Sequence, residues 1–152
     1  PWPYRDLIEK YARQRSLAPY LLVALIRQES EFNPRAISRA SARGLMQILP
    51  STGRLLYRKV GYRNFSTSLL YRPEVNLNLG TYYLRQLIDE LDGQLVAALA
   101  AYNAGQSRAK AWLTWANFEE PAEYVETVPL TETRGYIQTV LRNMDIYRRL
   151  YP

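Results

Sequence analysis

The chain of 152 residues contains no cysteine and no histidine. Without cysteine it can form neither a disulfide nor a thiolate metal site, although this alone does not choose a compartment. Without histidine, Ser–His triads, Cys–His dyads, imidazole proton shuttles and His-ligated metals are all excluded. Proton transfer near neutral pH then falls to Glu, Asp, Tyr or Lys, so a tuned carboxyl becomes the leading kind of active-site group. Long apolar runs are lacking too. The longest, near residues 17–26, is about half of the ~20 residues a membrane-spanning helix needs. There is no signal-peptide pattern. The first residue is Pro1 rather than Met, which reads as an excised or processed piece of a longer parent.

Apolar residues make up 47% of the chain and charged residues 22%, the balance of a globular protein with a real core. The length fits one domain over 1–152. Thirteen Tyr stand against 3 Phe and 3 Trp, a bias toward rings with a polar handle, as on a wet, ligand-facing surface. The net charge of +6 points to a polyanionic partner. Nucleic acid, anionic lipid and acidic cell-wall polymer all satisfy it.

The organising stretch is LAPYLLVALIRQESEF, Leu17–Phe32. Pro19 suits a first helical turn. Leu22, Leu25, Ile26 and Glu29 then fall at helical spacing, so Glu29 continues an apolar stripe, while Glu31 points elsewhere among solvated residues. A carboxyl on a core-facing stripe has its pKa raised by desolvation, as acid–base chemistry requires. The alternative is a Glu at a frayed helix end, neutralised by one of the many Arg residues.

The rest of the chain reads as helices separated by breakers. A first helix lies within Pro1–Arg15. Asn33-Pro34 stops the central one, and a polar loop leads to Gly44 and the apolar run GLMQIL. Pro50 opens a helix to about Val60, and Gly61–Arg72 reads as a loop. Pro73 begins what reads as the longest regular helix, Leu95–Ala104 forms another, and Ser107 is placed to cap RAKAWLTW. Pro121–Val128 and Thr131–Tyr147 complete the set. No period-2 strand run appears. The expected class is all-α, with about seven helices and no domain boundary.

Four segments in order carry a family resemblance: Glu29-Ser30 in RQESEFNP, Gly44–Pro50 (GLMQILP), NLNLGTYYL at 76–84 followed by Ala101–Gly105 (AYNAG), and VETVP at 125–129 with Glu132-Thr133-Arg134-Gly135-Tyr136. Across nearly its whole length the chain resembles the catalytic domain of the soluble lytic transglycosylases, whose fold resembles goose-type lysozyme. The resemblance implies that Glu29 is the catalytic acid/base. It makes Ser38 and Gln47 substrate contacts and has Met46 line the groove. Tyr102 is the aromatic hydroxyl beside the catalytic Glu, Asn103 a polar groove or scaffold residue, Glu132 a groove carboxylate and Tyr136 the late tyrosine of the pattern, all four counted with the substrate contacts. Two positions depart from it. Ser41-Ala42-Arg43-Gly44 stands where the family often reads G-A-x-G, and Gln106 stands where Pro commonly follows AYNAG.

A glycosidic bond breaks through an oxocarbenium-like transition state once its leaving oxygen is protonated. Most glycosidases use two carboxylates for this. The family implication is that one suffices, because the sugar's own C6 hydroxyl attacks C1 and leaves a 1,6-anhydro end. Glu126 or Glu132 as a hydrolytic partner stays open on sequence alone, against Arg134 pairing or a helix-end role. The Gln47 amide either binds substrate or satisfies backbone. Asn103 is expected to hold the turn before Gly105. Tyr62, Tyr71, Tyr82, Tyr83, Trp112 and Trp115 are read as packing rather than sugar stacking, and the Arg clusters near 35–43 and 142–149 as solvated faces. The expected substrate is peptidoglycan glycan strands, with no nucleic acid, metal or cofactor, a monomeric state, and a periplasmic or otherwise extracytoplasmic location. The rivals are a muramidase hydrolysing the same bond, a non-catalytic glycan-binding module and a basic nucleic-acid binder. The last would need its basic residues on one face beside stacking aromatics.

Overall fold

Four of the eight α-helices open on a proline: α2 (Pro19–Ser30), α3 (Pro50–Leu56), α4 (Pro73–Glu90) and α7 (Pro121–Thr127). The first turn of a helix has no use for that N–H, and proline's fixed φ suits it. The remaining helices are α1 (Arg5–Gln14), α5 (Leu95–Ala104), α6 (Gln106–Leu113) and α8 (Thr131–Leu150). The computed structural model describes all residues, 1–152, and its only β pairing is two isolated bridges, Ile37 with Arg43 and Arg43 with Ile48. The class is all-α.

Helix α2 is the buried axis. Residues Leu21–Ile26 are all buried, so the helix is apolar all round rather than along one stripe. It packs on α8, which also carries α5. In α5, Val96–Ala101 are all buried, and the run of alanines keeps its surface thin enough to lie among its neighbours. The two chain ends close against this core. Trp2 packs on Tyr20, Tyr147 and Tyr151, and the Tyr147 hydroxyl donates to the Pro1 carbonyl at 2.7 Å.

Several boundaries differ from the sequence reading. Helix α2 ends at Ser30, because Glu31 and Phe32 turn left-handed with φ of 51° and 64°. Helix α3 stops at Leu56, well short of Val60. Within Gly61–Arg72 a 3-10 turn forms over Thr67–Tyr71, where Leu70 is drawn fully into the core. The longest helix is α8 with 20 residues, not α4 with 18. Helix α6 begins at Gln106 with Gly105 before it, so Ser107 lies inside the helix and caps nothing. Gln106 is thus a first-turn residue, a position that also suits proline, and its departure from the family pattern leaves the helix start in place.

The connection from α2 to α3 shapes the site. Arg43 and Ile48 exchange backbone bonds of 2.9 and 3.0 Å, closing a tight loop over Gly44–Gln47. Asn76, fully buried on α4, anchors that loop: its Nδ2 donates to the carbonyls of Arg43 and Leu70, and its Oδ1 accepts from Met46 N at 2.7 Å. Gly44 has φ +79°, and a Cβ there would collide with the Leu70 carbonyl and the Asn76 amide. Only glycine fits.

Candidate active site

Glu29 sits one residue before the end of α2, where the helix emerges from the core into a cleft of about 490 Å³. Its Oε2 accepts a 3.0 Å hydrogen bond from the hydroxyl of Tyr136, which is buried on α8. No Arg or Lys forms a salt bridge with it; the ion pairs of the chain all lie elsewhere. Neutralisation at a frayed end is therefore not what this carboxyl does. Burial pushes it up, the Tyr136 bond pulls it down, and the nearby Glu132 charge pushes it up again, leaving a pKa of about 7. The phenols of Tyr136 and Tyr102 are raised well above 10, chiefly by burial and then by the Glu29 charge, so both stay protonated donors.

The floor of the cleft is the loop between α2 and α3. Ser30 places its hydroxyl 2.8 Å from the Leu45 carbonyl, tying the loop to α2 next to Glu29. Tyr102 on α5 donates to the Met46 carbonyl at 2.6 Å. Gln47, at φ 52°, directs its Nε2 to the carbonyls of Ala36 and Gly44 at 3.1 and 3.0 Å. Both alternatives for this amide are thus partly met. Its nitrogen satisfies backbone, and its Oε1 has no partner in the protein while the residue lines the cleft.

Six of the residues singled out by sequence meet in this one cleft: Glu29, Ser38, Gln47, Tyr102, Asn103 and Glu132. Ser38 Oγ accepts from Ala42 N at 3.1 Å, which leaves its hydroxyl hydrogen free. Asn103 does not hold the turn before Gly105 through backbone. Its Oδ1 accepts from Thr133 Oγ1 at 2.7 Å and so ties α5 to α8. Glu132 is exposed in the first turn of α8 and unpaired, since Arg134 donates instead to the Val128 carbonyl at 2.8 Å. Glu126 is exposed on α7 and does not line the cleft.

Two expectations are corrected. Met46 does not line the groove with its side chain, which is fully buried, with its sulfur lodged against Gly80 of α4; only its backbone carbonyl serves the site. Tyr136 is not a surface for substrate either. It is 5% exposed and stands behind Glu29, which it holds. Conversely, Arg39, Leu49, Thr52 and Tyr83 line the cleft without having been singled out as contacts. Tyr83 is the one ring among the six considered for sugar stacking that does so, and it packs 5.5 Å from the Tyr102 ring. Its signal was present in its place on the TYYL segment, one turn from Gly80.

The loop's departure from the family pattern is visible in the backbone. Ser41 adopts φ +68°, a left-handed conformation that favours glycine. Arg43 reinforces the turn, its Nε donating to the Ser41 carbonyl at 3.2 Å and its Nη1 to the Tyr71 hydroxyl at 2.5 Å. No three acidic side chains are grouped to hold a metal ion. What the cleft offers chemically is one half-buried carboxyl whose pKa is raised to about 7, with a second, exposed acidic side chain, Glu132, lining the same cleft.

The family model for the transglycosylase SLT domain matches residues 6–125. The soluble lytic murein transglycosylase of Salmonella typhimurium is 36% identical over 150 residues, covering 97% of this chain and 23% of that protein. Its Escherichia coli K12 counterpart is 35% identical with the same coverage. Among solved structures, an inactive mutant of the lytic transglycosylase Slt from Pseudomonas aeruginosa superposes with a TM-score of 0.92 at 38% identity, over 98% of this chain and 24% of that one. The 70 kDa soluble lytic transglycosylase of Escherichia coli gives 0.90 at 34%, over 99% and 25%. The chain thus spans about a quarter of the length of these relatives. Matched over most of its sequence and nearly all of its fold, the chain belongs to the transglycosylase SLT domain family.

Proposed function

We propose that this domain cleaves the β-1,4 bond between N-acetylmuramic acid and N-acetylglucosamine in peptidoglycan by intramolecular transglycosylation, with Glu29 as acid and then base. The observation that carries the reading is the Glu29 carboxyl, desolvated to a pKa of about 7 at the wall of an open cleft and aimed by Tyr136. Such a group donates a proton near neutral pH and can take one back. Glu29 protonates the bridging oxygen as the C1–O bond breaks. The muramic C6 hydroxyl then bonds to C1, assisted by the substrate's N-acetyl oxygen, and its proton returns to Glu29. The product ends in a 1,6-anhydro ring, no water is consumed, and the acid is regenerated.

Ser38, Gln47 Oε1, Asn103 and Tyr102 supply polar contacts to the sugars, while Tyr136 and the Met46 carbonyl position the groups that touch them. A wall polymer as substrate places the domain outside the cytoplasm, and no helix is long and apolar enough to cross a membrane. The reading takes it to act as a monomer.

One observation favours a second reading: Glu132 lines the same cleft and acts on Glu29 electrostatically. A carboxylate there could activate water and make the domain a muramidase. Digestion of purified peptidoglycan in ¹⁸O-water, followed by mass spectrometry, separates the two. Transglycosylation gives anhydro ends lighter by one water and unlabelled. Label at a free reducing end would replace this reading with hydrolysis.

A further inference from the structure

Arg39 is the only cation lining the cleft, where the other charged groups are the carboxylates Glu29 and Glu132. Its guanidinium makes no hydrogen bond and no ion pair within the protein, whereas many of the other arginines do. It sits on a turn that is fixed rather than loose. Ser41 N donates to the Ser38 carbonyl at 3.0 Å, Ser38 N to the Ala42 carbonyl at 3.0 Å, and Ala42 N to Ser38 Oγ. The Gln47 amide braces the same segment at Ala36. Arg39 and Ala40 therefore form the tip of a braced β-turn on the cleft wall. Arg39 forms no ion pair with Glu29, whose raised pKa is accounted for by burial, Tyr136 and Glu132.

Resting on the function proposed above, we propose that Arg39 is a specificity-determining residue that binds a carboxylate carried on the lactyl arm of a muramic acid residue in the cleft. A planar guanidinium matches a carboxylate with two parallel hydrogen bonds, and neutral sugars offer it no such partner. The carboxylate has two possible sources. In peptide-bearing strands the lactyl carboxyl is an amide, and the charge belongs to the stem peptide. In strands stripped of peptide, the lactyl carboxylate itself is free.

The test measures binding in a Glu29→Gln background, where cleavage does not interfere, to three soluble probes: peptide-bearing glycan strands, peptide-stripped strands and neutral chitooligosaccharides. Adding Arg39→Gln should weaken binding about three- to tenfold on an anionic probe, tenfold being about 1.4 kcal/mol, and leave the chitooligosaccharide unaffected. Loss on peptide-bearing strands assigns the stem carboxylate, and loss on stripped strands the lactyl one. Arg39→Lys should recover part of the loss. Arg35→Gln removes an equal charge from an exposed site outside the cleft and should not weaken binding. Equal binding of all three probes with and without Arg39, or equal loss from Arg35→Gln, overturns the proposal. Cleavage of the same strands by the unmutated domain is scored separately. No cleavage with Arg39-dependent binding defeats the enzymatic reading alone, whereas cleavage with Arg39-independent binding defeats this one alone.

Discussion

Tyr136 and Glu29 stand 107 residues apart in the chain and 3.0 Å apart at the phenol oxygen and carboxylate Oε2. The bond runs from the second turn of α8 to the end of α2, the two helices that pack most extensively on each other. The Glu29 carboxyl is therefore held by the core of the fold rather than by a surface loop. The same bond stabilises the charged form of Glu29, while Glu132 destabilises it.

These opposed influences make a pH prediction. Activity that needs protonated Glu29 falls as pH rises through about 7. Tyr136→Phe removes the group that pulls the pKa down, so the alkaline limb should move to higher pH even as the rate drops. Glu132→Gln removes the group that pushes it up, so the limb should move to lower pH. Each shift should be about 0.3–1 pH unit. Profiles of kcat/KM against pH, which report the free enzyme, check this for the two variants, and displacement of both limbs in one direction would contradict it.

Stability carries the same signature. Below about pH 4.5 the carboxyl is protonated in both folded and unfolded chains, and its burial adds no ionisation cost. Between 4.5 and about 7 the native state keeps a proton that the unfolded state releases, so stability falls as pH rises. Glu29→Gln lacks this titration. Its advantage should be near zero at pH 4 and grow to roughly 3 kcal/mol at pH 8. Urea melts at the two pH values measure it; a gap independent of pH would mean that Glu29 is not desolvated.

Asn76 should matter to stability more than any cleft residue. Asn76→Leu leaves the Met46 N–H and the Leu70 carbonyl without their side-chain partners inside the core, and takes from the Arg43 carbonyl one of its two bonds, the one from Ile48 N remaining. The expected loss is at least about 3 kcal/mol. A denaturation midpoint close to that of the unmutated chain would show that the loop finds other anchors.

Ser41→Gly relieves a left-handed serine at φ +68°. The strain removed exceeds the added entropy of the unfolded chain, so stability should rise by up to about 1 kcal/mol in a thermal melt. A fall would show that Ser41 is held without strain.

The sequence disclosed the helices whose ends are marked by proline or glycine. Pro73 and the Leu95–Gly105 segment gave their elements to within a few residues. Glu29 stood out in the sequence because a charge on an apolar stripe is conspicuous, and the fold puts it at the cleft. Tyr136 and Met46 were misplaced because motif membership says nothing about depth: both belong to site segments, yet tertiary packing draws one behind the acid and the other under Gly80. Asn76 escaped notice as an anchor because its partners lie 30 and 33 residues upstream and 6 upstream in a turn that has no periodic signature. Arg39 looked like one of many solvated arginines until the turn placed it in the cleft.

The central claim is that one carboxyl does the chemistry. It is tested most directly by the initial rate at which purified cell walls are cleared by Glu29→Gln, Glu132→Gln and Glu31→Gln. Glu29→Gln should lose at least the ~10²–10⁴-fold typical of a general acid, because the amide keeps the Tyr136 contact and cannot donate the proton. Glu132→Gln should stay within about tenfold of the unmutated rate, and Glu31→Gln, exposed beyond the helix end, should match it. Clearing by Glu29→Gln, or a loss at Glu132 as complete as at Glu29, would contradict the account.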